Sequence, residues 1–265
     1  MNLLFVGDIF GSAGRKIVRA HIGHVCETHD VDLVVINAEN AAGGFGVTPQ
    51  IAEEIFEWGA DVLTTGNHVW DKKELIDYVS AAAPDSGARG RRVLRPLNLQ
   101  RGAPGYGFFE GTTRGGVDYA VVNLMGRVYM TGTNDPFEAI DTLLKRIGAK
   151  VIVVDFHAEV TSEKVAMGWY LDGRVTAVLG THTHIPTADE RVLPGGTAYQ
   201  TDVGMSGPYD SVIGVEKELV VRKFVTGMPA KFEAAKGNPK MCAALIACDA
   251  QTGRAASIQR IALGE

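Results

Sequence analysis

The amino-acid sequence predicts an α/β protein. In the first half, short apolar runs typical of strands alternate with amphipathic helical stretches, and a second such series follows after residue 118. The last third holds further strand-like runs with no long helix between them. Alternating strands and helices favour βαβ units and a largely parallel sheet, whereas the last third should add mixed or antiparallel sheet. No repeat, low-complexity tract or linker divides the chain, so we predict one domain over residues 1–265, built from two packed sheets.

The predicted elements follow from the spacing of apolar residues. Short continuous or alternating apolar runs are assigned to strands, and longer stretches with an apolar face at helical spacing are assigned to helices. The strands of the two series are 2–7, 32–36, 61–65, 118–124, 150–155 and 175–179, and the helices are 13–29, 48–58, 72–81, 136–147 and 162–170. Polar, Gly/Arg-rich residues 85–92 predict a loop, and glycine-rich residues 102–116 predict turns between short strands. The later predicted strands are 191–192, 197–201, 218–225, 241–249 and 255–262.

Composition and charge narrow the class of protein. A chain of 265 residues, 46% hydrophobic and 22% charged, can bury about 70 to 75% of its unfolded surface. The net charge is −5, without long blocks of one sign, which argues against long nucleic acid as a partner and against a membrane-surface helix. No apolar stretch approaches a membrane span, and the amino terminus is typical of a first strand rather than a signal peptide, so we predict a cytoplasmic protein. Cys26, Cys242 and Cys248 form no CxxC pair and are predicted to be reduced core residues.

Side chains that commonly bind metals or take part in catalysis follow five of the predicted strands. In open α/β sheets, ligands bind beyond the carboxyl ends of the strands. These residues should therefore meet at one edge of the sheet. They are Asp8 after the first strand, Glu39 and Asn40 after the second, Asn67 and His68 after the third, His157 after the strand near 151, and His182 and His184 after the strand near 175.

Each of these residues also has a structural interpretation. Asp8 could cap the first helix, and Asn67 or Asp71 could cap the helix at 72–81, since Asn and Asp are preferred capping residues. His182 and His184 are two apart on a segment predicted to be extended, where both side chains would point the same way. Clustering of such residues at five strand ends favours a functional site over five coincidences. The remaining histidines, His21, His24 and His29, lie on the first helix and are interpreted as structural or solvent-facing.

The chemistry of the candidate ligands favours divalent metals. Oxygen and imidazole ligands without thiolate suit manganese, iron, zinc or cobalt. The candidates exceed the needs of one ion, which suggests two metals about 3.5 to 4 Å apart that share a bridging carboxylate, either Glu39 or Asp8. Such a pair lowers the pKa of a bound water towards about 7 and holds the attacking and leaving oxygens of a phosphoryl displacement. The sequence therefore predicts hydrolysis of a phosphate ester by a metal-bound hydroxide.

The order of the motifs resembles that of the calcineurin-like metallophosphoesterases. The likeness is greater to their YmdB-like branch, and it covers nearly the whole chain. The motifs that carry it are GDIFG at 7–11, INAEN at 36–40, GNHVWD at 66–71, DFHAE at 155–159, TSEK at 161–164, YLDGRVTAVLGTHTH at 170–184, TADE at 187–190 and GTAYQTDVGM at 196–205.

The resemblance implies a four-layer αββα sandwich of two mixed sheets and a phosphodiesterase that prefers 2′,3′-cyclic nucleotides. It further implies that His68 is the general acid beside the leaving oxygen. Glu39 would bridge the two metals. By the same resemblance, Asp8, Glu39, Asn40 and His184 would hold one metal, and Glu39, Asn67, His157 and His182 would hold the other.

One position departs from the wider superfamily. Its first motif is usually DxH, but Phe10 stands where the histidine would be. The branch resemblance offers Asn40 as the replacement ligand. Because a carbonyl oxygen is harder than imidazole, we expect iron or manganese, with zinc and cobalt as alternatives.

Further residues are candidates by position alone. Metal-bound histidines usually donate their second ring N–H to a carboxylate or carbonyl. Asp155, Asp202 and Glu159 could accept it, although a structural salt bridge explains each equally well. Arg15 and Ser206 are candidate substrate contacts.

Three functional classes follow from the sequence. The first is a dinuclear phosphodiesterase acting on cyclic nucleotides, and the second is a phosphomonoesterase or nuclease with the same centre. The third is a metal-dependent regulatory or binding protein with incidental hydrolysis. The expected partner is a small phosphate ester, and the oligomeric state stays open, with a homo-oligomer among the alternatives.

Overall fold

Two mixed β-sheets form the centre of the fold. The computed structural model describes residues 1–83 and 87–264, so the predicted loop at 85–92 lies partly outside the described residues. The strands are β1 (Asn2–Val6), β2 (Leu33–Asn37), β3 (Val62–Thr64), β4 (Val93–Leu94), β5 (Phe108–Thr112), β6 (Asp118–Met125), β7 (Val151–His157), β8 (Ala177–Thr181), β9 (Arg191–Val192), β10 (Ala198–Gln200), β11 (Gly207–Pro208), β12 (Pro239–Cys248) and β13 (Ala255–Gly264). The helices are α1 (Gly11–Thr28), α2 (Pro49–Glu57), α3 (Glu74–Ser80), α4 (Pro136–Leu144), α5 (Thr161–Leu171) and α6 (Lys217–Thr226).

The strand order separates a parallel core from antiparallel edges in each sheet. Sheet one has the order β11-β12-β1-β2-β3-β4, with β13 also paired to β12. Strands β1 to β4 are parallel, and β12 joins them antiparallel to β1. Sheet two has the order β5-β6-β7-β8-β10-β9, in which β6, β7, β8 and β10 are parallel. The predicted parallel first half and mixed last third are confirmed.

Side chains on alternate positions of β1 show that the sheets stack in layers. Leu4 and Val6 pack against α1 and its neighbours on one face of sheet one. Leu3 and Phe5 pack between the two sheets, together with Val121 and Val153 of sheet two. The other face of sheet two packs against α4 and α5. This arrangement confirms the four-layer αββα sandwich, and burial on both faces explains why the central strands are continuously apolar.

Local sequence signals set several helix starts. Thr48 caps α2 by accepting a hydrogen bond from the Ile51 N–H, and Pro49 occupies the first helical position. Asp135 caps α4 in the same way and is followed by Pro136. Proline suits that position because its missing N–H would have no partner within the helix. The ordinary helix-start rules therefore hold for both helices.

One predicted strand is wrong. Residues 218–225 form most of the helix α6, which ends at Gly227 in a left-handed conformation. The valine-rich composition favours a strand, but none of the strands that the structure describes pairs with this segment, and α6 buries none of its residues. A glycine in the left-handed conformation is the commonest way to end a helix, and this signal outweighs the strand composition here.

The cysteines and α1 agree in most respects with expectation. All three cysteines are free, with Cys242 and Cys248 buried but Cys26 only half-buried, so the prediction of a core position is wrong for Cys26. The apolar stripe of α1 is buried, and His24 is exposed on the same helix. Within the described residues, no helix combines the length and apolar character needed to cross a membrane.

Candidate metal centre

The carboxyl ends of strands from both sheets meet at one place. Sheet one contributes Asp8 after β1, Glu39 and Asn40 after β2, and Asn67 after β3. Sheet two contributes His157 at the end of β7 and His182 and His184 just beyond β8. The structure thus brings together residues that lie up to 176 positions apart, from Asp8 to His184.

His157 lies at the middle of the first group of ligand atoms. Its Nε2 is 2.6 Å from Glu39 Oε2 and 3.1 Å from Asn67 Oδ1. The same Nε2 is 3.1 Å from His182 Nδ1. Glu39, His157 and His182 each offer a ligand atom within 4.8 Å of the others. These atoms form a tetrad of possible ligands around one point.

The hydrogen-bond network fixes which atoms of this group carry protons. Thr181 Oγ1 donates to Asp155 Oδ1 (2.7 Å), so it accepts at 2.9 Å from the His157 Nδ1–H. When the His157 ring is neutral, its Nε2 lone pair therefore faces Glu39. His182 Nε2 is 2.9 Å from Glu159 Oε2 and donates to it, so its Nδ1 also turns a lone pair inwards. Four acceptor atoms facing one another require a cation or an added proton between them.

The pKa values of the group show the same demand for positive charge. Burial disfavours the charged ring of His157, but the adjacent Glu39 carboxylate outweighs it and raises the His157 pKa to about 9. Glu39 is also fully buried, yet the contact with His157 lowers its pKa to about 2. Burial and the neighbouring His157 lower the pKa of His182 to about 3. A divalent cation would occupy the place that the shared proton takes here.

A second group of acceptors lies around His184. Its Nδ1–H donates to the Ile213 carbonyl at 2.9 Å, so Nε2 turns its lone pair towards Asn40 Oδ1, 3.3 Å away. Asn40 Nδ2 donates to the Gly44 carbonyl at 3.0 Å, which fixes the direction of the amide. Among the residues that the structure describes, none donates a hydrogen bond to the buried Oδ1 of Asp8. Burial raises the pKa of Asp8.

The segment that carries His182 and His184 is not extended, so the premise that both side chains point the same way is wrong. Strand β8 ends at Thr181, and His182 and His184 have φ angles of 97° and 66°. A non-glycine residue in this region is strained by about 1 to 3 kcal/mol and is concentrated at functional sites. The two rings consequently face different groups: His182 faces His157, and His184 faces Asn40.

His68 lies beside the first group without belonging to it. Its ring Nδ1 is 2.9 Å from Asp71 Oδ2, and its side chain is 29% exposed. Its backbone N–H donates to Glu39 Oε1 at 2.6 Å, which leaves Oε2 as the Glu39 oxygen that faces the cluster. The ring of His68 therefore remains accessible, while its main chain is fixed to a candidate ligand.

The capping interpretations do not hold. The cap of α1 is Phe10 and that of α3 is Lys73, neither with a side-chain capping bond. Asp71 contacts His68 instead, and Asp8 faces the cluster.

Gly66 is needed for close packing rather than for an unusual turn. A Cβ atom at this position would overlap the imidazole ring of His157. The backbone here does not have the positive φ that favours glycine, so the need for glycine comes from this close contact. The absent side chain lets β3 approach the His157 ring closely.

Asp155 and Asp202 are connected to the site through other residues. Asp155 reaches His157 through the Thr181 hydroxyl, and its burial raises its pKa to about 6. Asp202 accepts hydrogen bonds from the backbone N–H and hydroxyl of Thr183 and from the Lys164 ammonium. Glu159, the third of these candidates, contacts a histidine of the cluster directly, at His182 Nε2.

The two candidate substrate contacts are occupied by other interactions. Ser206 is fully buried, and its hydroxyl exchanges hydrogen bonds of 3.0 Å with the main chain of Cys242. Arg15 donates to the Ala41 carbonyl and lies 3.8 Å from Glu54. Both side chains thus already contact other groups of the protein.

Sequence reasoning missed Lys164 and the role of Phe10. Lys164 occupies the buried stripe of α5 together with Met167 and Leu171, a position where an unpaired lysine is rarely found. That pattern could have identified it as one half of an internal ion pair. Phe10 packs edge-on against the His184 ring, with 5.6 Å between ring centroids. No local signal predicts this contact, because it joins residues 174 positions apart.

The site fits divalent cations by three separate observations: two groups of convergent lone pairs, the unpartnered Asp8 oxygen, and a donor set of oxygen and nitrogen atoms. A largely buried carboxylate–amide–imidazole centre at the strand ends of a four-layer αββα sandwich defines a metallophosphoesterase.

Within that class, the chain belongs to the YmdB-like protein family, whose model matches residues 4–261. It is 42% identical over 267 aligned positions to the 2′,3′-cyclic-nucleotide 2′-phosphodiesterase of Bacillus subtilis, covering 100% of this chain and 98% of the relative. A hypothetical protein from Thermus thermophilus has a similar structure, with a TM-score of 0.91, 41% identity and full coverage of both chains. A novel phosphatase from Mycoplasma pneumoniae matches with a TM-score of 0.91 and 33% identity, covering 100% of this chain and 93% of that one. The chain is accordingly an enzyme of the phosphoesterase class.

Proposed function

We propose that the chain is a metal-dependent phosphodiesterase that hydrolyses 2′,3′-cyclic nucleotides and opens the 2′ ester to leave a nucleoside 3′-phosphate. The requirement for metal is supported by the two groups of hydrogen-bond acceptors, one around His157 and one around His184. The substrate rests on the 42% identical Bacillus subtilis relative, which aligns with the whole of this chain. The expected partner is therefore a small phosphate ester.

The proposed ligands divide between two metal positions. Asp8, Glu39, Asn40 and His184 would hold one ion, and Asn67, His157, His182 and the shared Glu39 the other. Two divalent ions bound there would activate a water and hold the attacking and leaving oxygens of an in-line displacement at phosphorus. The carbonyl of Asn40 is a harder donor than an imidazole, which favours iron or manganese over zinc or cobalt.

The charges of the ligands explain how an acidic protein attracts a phosphate. Asp8 and Glu39 are the two carboxylates of the proposed set, and the others are neutral amides and imidazoles. Two negative charges compensate only half of the charge of two divalent ions, so the centre attracts anions locally. The net charge of −5 on the whole chain does not prevent this.

His68 is the proposed general acid. Its accessible ring contacts Asp71 through Nδ1, which directs Nε2 away from that carboxylate. A proton held at Nε2 can pass to the ribose oxygen as its bond to phosphorus breaks. The bond between the His68 N–H and Glu39 keeps this proton donor at a fixed place relative to the ligands.

We further propose that residues 1–265 work as one domain. The ligand set is complete only when both sheets are in place, because β1 to β3 supply one part and β7 and β8 supply the other.

The test is a substrate panel with Mn²⁺-loaded protein: 2′,3′-cyclic AMP, 3′,5′-cyclic AMP, a nitrophenyl phosphate monoester and a short RNA. We expect turnover to be fastest with 2′,3′-cyclic AMP and the product to be the 3′-phosphate, identified by chromatography. The Mycoplasma pneumoniae relative is described as a phosphatase, so the monoester is the decisive comparison. Turnover of the monoester alone would refute the proposed activity.

A further inference from the structure

Two phenylalanine rings form a continuous aromatic surface beside His68. The Phe45 ring lies edge-on to the His68 imidazole, with 4.9 Å between centroids and 71° between planes. The Phe232 ring lies 4.6 Å from Phe45 and is tilted by 56°, so the two rings do not cover each other face to face. Phe232 is 47% exposed. The surface therefore runs from the proposed general acid towards solvent.

Both rings lie on segments that hydrogen bonds hold near the metal centre. Phe45 belongs to the loop after β2 that also carries Asn40, and Asn40 Nδ2 donates to the Gly44 carbonyl just before it. Phe232 lies on residues 216–233, a segment that contains α6 and is called the excursion below. The excursion is closed at its base by a hydrogen bond from the Glu216 N–H to the Glu233 carbonyl. Both rings are thus positioned by segments that begin and end close to the site.

The chemistry of the substrate indicates what this surface would contact. If His68 protonates the departing 2′ oxygen, the ribose must lie against His68. The base is attached to C1′, the carbon next to the one that bears this oxygen. It leaves the opposite face of the sugar but lies beside the same edge of the ring. An exposed aromatic ring contacts a base face favourably whatever the base, since every base has a π-face.

We infer that Phe45 and Phe232 form the nucleobase platform of this active site. The inference rests on the proposed function and adds its specificity element. Phenylalanine offers no hydrogen-bonding group, so the platform selects for a base without reading which base is present. All four nucleoside 2′,3′-cyclic phosphates should be substrates, with purines favoured by their larger faces.

The first test compares Phe232→Ala with the wild type on two five-membered cyclic phosphodiesters, 2′,3′-cyclic AMP and glycerol 1,2-cyclic phosphate, which lacks a base. Loss of base stacking should lower the ratio of kcat/KM values (nucleotide over glycerol ester) by about tenfold. Phe232→Trp should restore the ratio. Phe224→Ala is the matched control, because Phe224 is an 81% exposed ring of the same excursion.

A binding measurement separates this inference from the proposed activity. Calorimetry with adenosine 3′-phosphate and glycerol phosphate should show about tenfold weaker binding of the nucleotide alone in Phe232→Ala. If the wild type turns over neither cyclic ester, the proposed function fails, and the calorimetry still tests the platform. Equal losses for both ligands, no loss for either, or the same loss in Phe224→Ala would overturn the inference.

Discussion

At the scale of single residues, His68 and Glu39 are joined by one hydrogen bond but have different proposed tasks. The bond uses the backbone N–H of His68 and Oε1 of Glu39, at 2.6 Å. Removing the imidazole therefore leaves this bond in place, whereas removing the carboxylate takes away both the bond acceptor and the oxygen that faces His157. The two side chains can be tested separately.

We expect His68→Ala to keep its metal and to lose about 10²- to 10⁴-fold in kcat, the usual contribution of a general acid. Glu39→Ala should lose metal, because a shared ligand and a buried charge disappear together. The measurements are kcat for 2′,3′-cyclic AMP and the metal content of protein purified without chelators.

The leaving group provides a control for the role of His68. A nitrophenyl diester needs little protonation of its departing oxygen, so the defect of His68→Ala should be much smaller with that substrate. Equal metal loss in the two variants, or an equal defect with both substrates, would remove the assignment of His68 as general acid.

The residues of the centre were predictable because ligands bind beyond the carboxyl ends of strands, and each strand can be identified from its local sequence. Asp8, Glu39, Asn67 and His157 each follow an identifiable strand, so sequence alone predicts that they meet. The partner of a ring nitrogen is different, since it depends on the packing of both sheets. The contact of His157 with Thr181, which sets its tautomer, could not have been predicted from either residue alone.

At the scale of elements, an internal ion pair connects α5 to Asp202, just after β10, and Asp202 in turn binds the loop after β8. The Lys164 ammonium donates at 2.6 Å to both the Thr181 carbonyl and Asp202 Oδ2. Asp202 also accepts from Thr183, between the two histidines, and from the Gly204 N–H. This network holds Thr183, the residue between the two strained histidines, in place.

We expect Lys164→Met to lower the free energy of unfolding by about 3 to 5 kcal/mol, because Asp202 would stay buried without its cationic partner. Metal affinity should fall by about 10- to 100-fold as the histidine loop loosens. Urea unfolding and a metal titration measure the two effects.

The surface variant Lys145→Met is the control and should change stability by less than about 0.5 kcal/mol. The double variant Lys164→Met/Asp202→Asn should recover part of the loss, because it removes the uncompensated charge. A single variant as stable as Lys145→Met would show that the ion pair does not hold the loop.

Elements were predictable where local pattern and tertiary packing agree. Strand β7 begins with the apolar run 151–154 because both of its faces are buried, and the predicted strand at 150–155 lies within two residues of its bounds at each end. Helix α6 is the exception, since its valine-rich residues favour a strand while Gly227 ends a helix. The helix-ending signal prevails because, among the described strands, none pairs with this segment.

At the scale of the whole molecule, the site joins the two sheets. Glu39 follows β2 of sheet one, and His157 ends β7 of sheet two. Asn37 Nδ2 also crosses the same gap to Asp155 Oδ2, at 2.9 Å. An apolar core fills the rest of the space between the sheets. A change of charge at the Glu39–His157 contact should therefore change the free energy of unfolding of the whole chain.

The free energy of unfolding of the metal-free protein should fall as pH rises above neutrality. In protein stripped of metal, the His157 pKa is raised from 6.5 to about 9, so its contribution is full below pH 6.5 and is lost as pH rises through about 9. At about 1.4 kcal/mol per pKa unit, the loss is about 3 kcal/mol. Glu39, with a pKa near 2, Asp155, near 6, and His182, near 3, titrate below this window. Denaturant unfolding at pH 6.5, 7.5 and 9 with a chelator should show the decline.

Excess Mn²⁺ should reverse this trend, because the metal takes the place of the His157 proton and its binding strengthens as that proton leaves. His157→Gln should abolish the decline in the stripped protein. His24→Gln, a change at an exposed histidine of α1, should retain it in full. Since the two variants differ only at these two histidines, the difference between them isolates His157. A stripped wild type whose stability is constant from pH 6.5 to 9 would show that no buried proton joins the two sheets, and that the Glu39–His157 contact does not hold a cation's place.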